Sequence, residues 1–283
     1  MKSLTLNIRG RLLDLSTPKV MGIVNVTPDS FYASGRTPDR DAIVRRILQL
    51  RDEGADILDI GGCSTRPGSL PPTPDEEYSR LASALEVVGR EWPEVPVSID
   101  TYRASVARRC VEEWGVDIIN DIGGGTLDPE MWPVVAELRV AYVLMHMRGN
   151  PQTMSSLTDY SDVTAEVITD LSRKVYELRG LGVCDIIIDP GFGFAKTVAQ
   201  NFRLLDELHE FCRMGLPVLA GLSRKSMIWR TLGITPEESL NATTALNAIA
   251  LREGASLLRV HDAAAAREVV KLHMALLAAR EEA

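Results

Sequence analysis

The stretch "VPVSIDTYRASVARRCVEEWGVDIIND", residues 95–121, reads as strand, helix, strand. Its outer runs, "VPVSID" (95–100) and "VDIIND" (116–121), are short, rich in Val and Ile, and apolar on both faces. Parallel strands read this way when helices cover both sides of the sheet. Residues 103–114 between them fit an amphipathic helix. Each run closes on polar residues, Asp100 in the first and Asn120 with Asp121 in the second.

The same unit recurs in both directions along the chain. Further apolar runs are "VMGIVNV" (20–26), "ILDIGG" (57–62), "AYVLMHM" (141–147), "DIIID" (185–189), "LPVLAGLS" (216–223) and "ASLLRVHD" (255–262). Between them, residues 39–53 carry Ile43, Val44, Ile47, Leu48 and Leu50 at helical spacing, with Gly54 placed to end the helix. Helices also fit 76–90, 129–138, 161–180, 200–213, 239–253 and 263–281. Eight strands alternating with eight helices predict a (β/α)8 TIM barrel. An open doubly wound sheet is the main alternative, and no GxGxxG follows the first strand to favour it. Ahead of the first barrel strand, Leu4, Leu6 and Ile8, then "RG", then Leu13 and Leu15 predict a short antiparallel hairpin within residues 1–18. No low-complexity linker interrupts the chain, so residues 1–283 are expected to form one domain.

The 283 residues are 45% hydrophobic and carry a net charge of −8. That balance argues against nucleic acid or an anionic membrane as the main partner. No run reaches the roughly 20 apolar residues of a membrane span, and the first 16 residues lack a signal-peptide core. Cys63, Cys110, Cys184 and Cys212 lie far apart without metal-like spacing, as expected of reduced thiols in the cytoplasm.

In a barrel the C-terminal ends of the strands converge on one mouth, where active sites sit. Here those ends carry Asn25, the "STRPG" turn (64–68), Asp100, Asn120, His146, Asp189, Lys225, Arg259 and His261. Each has an ordinary reading as well. Asn120 and Asp121 suit the start of a turn, as does the "DPG" after Ile188, and Asp100 suits a helix N-cap. His146, between Met145 and Met147, suits a packed side chain. Their joint occurrence carries the argument. "GLSRKS" after the seventh strand and "RVHD" after the eighth occupy the usual phosphate position of a barrel. Asp262 is expected to cap the helix that starts at Ala263, leaving its N–H groups near an anion. Two long loops, 26–41 and 63–77, read as lids or binding loops. Phe192 and Phe194 in "DPGFGFAK" (189–196) suit either a ring-binding wall or the core.

The motifs "MGIVNVTPDSF", "DIGGCSTRPG", "VSIDT", "INDI", "LMHMRGNPQTM", "IIIDPGFGF", "GLSRKSMI" and "LLRVHD" occur in this order over nearly the whole chain after residue 20. The set resembles the dihydropteroate synthase family. The resemblance implies a (β/α)8 barrel, usually a homodimer. It implies a reaction that joins 6-hydroxymethyl-7,8-dihydropterin diphosphate to p-aminobenzoate with Mg²⁺. By similarity Asn25 helps hold Mg²⁺ on the diphosphate. Asp100, Asn120 and Asp189 bind the pterin ring, with Lys225 reaching the same ring. Thr65, Arg259 and His261 face the diphosphate end, and Asp100, Lys225 and Arg259 take the catalytic roles. Ser64, Arg66 and Pro67 shape the second loop and Phe31 the first. Phe194 and Ser226 border the p-aminobenzoate pocket. A pterin-binding methyltransferase domain, a non-enzymatic relative and a Schiff-base aldolase using Lys225 are the competing readings.

Overall fold

Side chains alternate across a strand, so each barrel strand shows one row of residues to the interior and one to the helices. The computed structural model describes residues 4–27, 40–63 and 70–281. Its strands are β1 (Thr5–Ile8), β2 (Arg11–Asp14), β3 (Lys19–Asn25), β4 (Ile57–Gly61), β5 (Val97–Asp100), β6 (Ile118–Asp121), β7 (Ala141–Met145), β8 (Ile186–Asp189), β9 (Leu219–Ala220) and β10 (Leu257–Val260). Strands β3 to β10 form one parallel sheet in the order β8-β7-β6-β5-β4-β3-β10-β9. A parallel bridge between Ile188 and Val218 joins its two edges, and Ile188 N donates to Pro217 O at 2.9 Å. The result is the expected (β/α)8 barrel.

The helices are α1 (Arg40–Asp52), α2 (Pro74–Glu91), α3 (Ala104–Trp114), α4 (Met131–Leu138), α5 (Val163–Gly180), α6 (Val198–Asp206), α7 (Leu208–Cys212), α8 (Ser226–Leu232), α9 (Leu240–Arg252) and α10 (Ala263–Glu281). Their apolar stripes and the outward rows of the strands make the larger core. Val20, Val24, Leu58 and Ile60 pack there with Ile43, Ile47 and Leu81. Gly22 lies where a Cβ would come within 2.8 Å of the Leu50 side chain, so its lack of one lets α1 sit close on β3. The inward rows make a second core from Met21, Ile57, Ile118, Val143, Ile187, Leu219 and Leu257. The antiparallel β1–β2 hairpin closes it from below, where Leu6, Ile8 and Leu15 are buried against those residues.

Three details depart from expectation. The segment 200–213 is two helices, α6 and α7, broken at Glu207. The run 216–223 keeps ladder geometry only at Leu219–Ala220. The segment after it folds into the short helix α8, which begins after Lys225 and ends at Gly233 with φ +67°. Seven residues offer too few turns for periodicity to reveal.

Candidate active site

The inward rows turn polar at the C-terminal ends of the strands. Ile23 gives way to Asn25 on β3, Ser98 to Asp100 on β5, Ile118 to Asn120 on β6, Ile187 to Asp189 on β8 and Leu257 to Arg259 on β10. Together they line a cavity of about 620 Å³ with Phe192, Phe194, Lys225 and His261. Residues separated by more than 230 positions in the chain thus share one enclosure.

An ion-pair bridge crosses its floor. Arg259 Nε donates to Asp59 Oδ2 at 2.6 Å and Arg259 Nη2 donates to Asp100 Oδ2 at 2.6 Å. Asn120 Nδ2 donates to the same Asp59 oxygen at 3.1 Å. Asp59 is fully buried, and its Oδ1 has no hydrogen-bond partner among the described residues. Burial pushes the Asp100 carboxyl well above its usual range. Arg259 pulls it back, while Asp59, Glu77 and Asp121 push it further up. Asp100 does not cap α3, because the N–H of Ala104 is taken by Asp128 Oδ2 at 2.8 Å.

Asp189 is held by its own turn. Its Oδ1 accepts Gly191 N at 2.7 Å, and burial raises its pKa against the opposing pull of that bond and of Lys225, Arg259 and Lys196. Lys225 stands over the Phe194 ring with Nζ 4.3 Å from the centroid. Burial first, then the Arg259 charge, pull its pKa down to about 8, with Asp189 and Asp100 opposing. His261 lies beside Ser223, with Nδ1 and Ser223 Oγ 2.9 Å apart, and burial holds its pKa down at about 3, so it is neutral at pH 7.

Several expectations need correction. The N-terminus of α10 is not an open anion site. Glu53 Oε2 accepts Ala263 N at 3.0 Å and Ala264 N at 3.4 Å. Asp262 instead holds Arg224 through two oxygens, at 2.9 and 3.1 Å from Nη2. Arg259 does not stand ready at the rim; its fork is drawn inward by two carboxylates. Asp121 does make the expected turn, accepting Gly123 N at 2.7 Å and Gly125 N at 2.8 Å, whereas Asn120 faces the cavity. Ser226 opens α8 next to Lys225 and is not among the residues lining the cavity. Phe31, Ser64, Thr65, Arg66 and Pro67 lie outside the described residues. The C-terminal end of the second loop is firmly tied, since buried Glu77 accepts Thr101 Oγ1 at 2.6 Å and pairs with Arg103, whose Nη2 donates to Pro72 O at 2.6 Å.

The pattern describing the family "Pterin binding enzyme" matches residues 21–261. A dihydropteroate synthase of Synechocystis is 43% identical over 260 residues, covering 91% of this chain and 89% of its own length. This chain belongs to the dihydropteroate synthase family. The family's enzyme from Escherichia coli is 39% identical over 275 residues, 96% of each chain. The Xanthomonas albilineans dihydropteroate synthase solved with 4-aminobenzoic acid superposes with a TM-score of 0.89 at 41% identity, covering 98% of this chain and 99% of that one. The same organism's enzyme in complex with 7,8-dihydropteroate gives 0.85 at 39% identity, over 97% and 99%.

Against this dihydropteroate synthase framework, Asp59 is the residue that sequence reasoning missed. In the sequence it stands in the middle of "ILDIGG", which reads as an apolar strand. The signal was available: a carboxylate on the inward row of a buried strand needs a cation, and Arg259 is the arginine on another such row.

Proposed function

We infer that the chain joins 6-hydroxymethyl-7,8-dihydropterin diphosphate to p-aminobenzoate and releases 7,8-dihydropteroate and pyrophosphate. Family membership over nearly the full length supports this. The observation that carries it here is the single cavity in which Asp100, Asn120 and Asp189 meet Lys225 and Arg259.

The roles follow from the chemistry of each group. A pterin has an amino group beside a ring N–H, and the Asp189 carboxylate accepts two parallel hydrogen bonds from that edge. Asn120 and Asp100 satisfy the remaining polar atoms of the ring, and Lys225 reaches a ring acceptor. Arg259 keeps Nη1 without a hydrogen bond among the described residues, and with His261 it faces the diphosphate end. The exocyclic C–O bond breaks first, the pair of electrons leaving with pyrophosphate. The electron-rich dihydropterin carries the resulting cation. The neutral aromatic amine then forms the C–N bond and loses a proton to water. The amine needs no strong base, so the site works by holding charge and excluding water. Phe194 borders the amine, and Phe31, Ser64, Thr65, Arg66 and Pro67 belong to the surrounding substrate contacts by similarity.

Asn25 suits a magnesium ion that rests mainly on phosphate oxygens. A Cβ at Gly61 would lie 3.6 Å from Asn25 Oδ1 and 3.7 Å from Asp100 Oδ2, so both oxygens look over the same bare strand end. Among the described residues no three His, Cys, Asp or Glu side chains gather to hold a metal alone; in this reading Mg²⁺ takes most of its oxygens from the substrate. When bound, Mg²⁺ offsets charge on the departing pyrophosphate.

The chain acts as a homodimer in the cytoplasm under this reading. Ile249 on α9 and Leu272 and Leu276 on α10 are exposed, apolar surface of the kind a second copy covers. No described helix is long and apolar enough to cross a membrane. The activity is tested by mixing the purified protein with Mg²⁺, the pterin diphosphate and p-aminobenzoate. Dihydropteroate and pyrophosphate should appear one to one; pyrophosphate without dihydropteroate would mean hydrolysis instead.

A further inference from the structure

Behind the cavity wall lies a buried lysine that the chemistry above leaves without a task. Lys196 follows the "DPGFGF" loop and is 9% exposed. Its ammonium donates to Gly191 O at 3.1 Å and to Phe194 O at 3.0 Å, and lies 3.0 Å from His146 Nδ1. No carboxylate hydrogen-bonds to it among the described residues. A buried cation satisfied by two carbonyls and an imidazole is costly to keep. Burial first, with the Arg148 and Lys225 charges, pulls its pKa down to about 7 against the opposing pull of Asp189.

The three acceptors say what the cost supports. Gly191 and Phe194 lie on either side of the loop that leaves Asp189, and His146 directly follows the neighbouring strand β7. Gly191 has φ +73° and lies so close to β7 that a Cβ there would fall 2.0 Å from His146 O. His146 N in turn donates to Asp189 O at 3.0 Å. Further along, Gly193 N donates to Asn201 Oδ1 at 2.7 Å. Within the loop Phe194 N donates to Gly191 O at 3.1 Å, and Ala195 sits at φ +49°, a left-handed position that a residue with a Cβ adopts at a cost. His146 must be neutral with Nδ1 unprotonated to accept from the ammonium. Burial and the Lys196 charge keep it so, with Lys174, Arg148 and Asp170 as the other charges facing it.

We propose that Lys196 and His146 form a latch that positions Phe194 and Asp189 for catalysis, acting through the loop without touching substrate. The proposal rests on the dihydropteroate synthase reading and assigns positioning residues for it. The ammonium draws both carbonyls toward β7. That fixes the Phe194 ring under Lys225 on one side and the Asp189 turn on the other.

Lys196→Met tests it, because the substitution keeps the stem and removes the cation. A misplaced wall costs binding and rate, while for the fold the relief of a buried charge offsets the lost hydrogen bonds to the two carbonyls. The KM for p-aminobenzoate should rise about tenfold, with no fall in melting temperature. His146→Leu, which removes the acceptor, should act in the same direction, and His146→Asn, which restores one, should recover most of the loss. Kinetic constants of Lys196→Met within twofold of wild type would overturn the proposal. So would a loss of activity that follows a matching loss of thermal stability, or equal behaviour of His146→Leu and His146→Asn. A wild-type protein that makes no dihydropteroate would overturn the underlying reading and the latch with it. An active wild type beside an unaffected Lys196→Met removes the latch alone.

Discussion

A single carboxylate decides how much of this site is prearranged. Asp59 takes Arg259 and Asn120 on one oxygen, so both stand in place before any ligand arrives. Asp59→Asn keeps the size but loses the charge opposite Arg259. Affinity for the pterin diphosphate should fall about tenfold, the loss of one charge-assisted hydrogen bond, and titration calorimetry measures it. Asp189→Ala should weaken pterin binding by roughly 2–5 kcal/mol; an unchanged calorimetric affinity would remove Asp189 from the site. Lys225 makes a pH prediction with a defined sign. Its pKa lies at about 8, so the ammonium is present below that value and lost as pH rises through it. Affinity for the anionic substrate should therefore decline above pH 8, and in Lys225→Met that decline should be absent. An affinity that stays flat across pH 8 in the wild type would contradict the assignment.

The elements explain which parts of this were readable beforehand. Strands and long helices announce themselves by period, and the hairpin did so through Leu6, Ile8 and Leu13 alternating around "RG". The inward placement of Asn25, Asp100, Asn120 and Asp189 follows from the same two-residue period. Contacts between elements were not readable. Nothing in "QLRDEG" says that Glu53 will cover the N-terminus of α10, nor in "SRKS" that α8 begins there. Those outcomes depend on how neighbouring loops dock, which no local pattern encodes. The hairpin carries its own prediction. Leu6 is buried at the closed end of the barrel, far along the inward rows from the cavity. Leu6→Ala should cost about 2–5 kcal/mol of stability in denaturant unfolding and leave kcat unchanged at temperatures where the protein stays folded. A matched loss of kcat would tie the closed end to the chemistry.

At the scale of the molecule, a net charge of −8 surrounds a cavity that Arg224, Lys225 and Arg259 line together with Asp100 and Asp189. The barrel resolves that opposition by topology. Its order brings β4 and β10 to either side of β3, so Asp59 and Arg259 meet across one strand although 200 residues separate them. The exposed leucines of α10 extend the account to two copies, and light scattering should give twice 31.1 kDa. Mass of a single chain at micromolar concentration would contradict the dimer. The central claim, that one cavity holds both the ring and the diphosphate, is tested most directly by a crystal structure with 6-hydroxymethyl-7,8-dihydropterin diphosphate bound. The amino edge of the ring should lie about 3 Å from the Asp189 carboxylate, with the phosphates beside Arg259 and His261. A ring bound outside this cavity, or phosphates seated at Asp189, would contradict it.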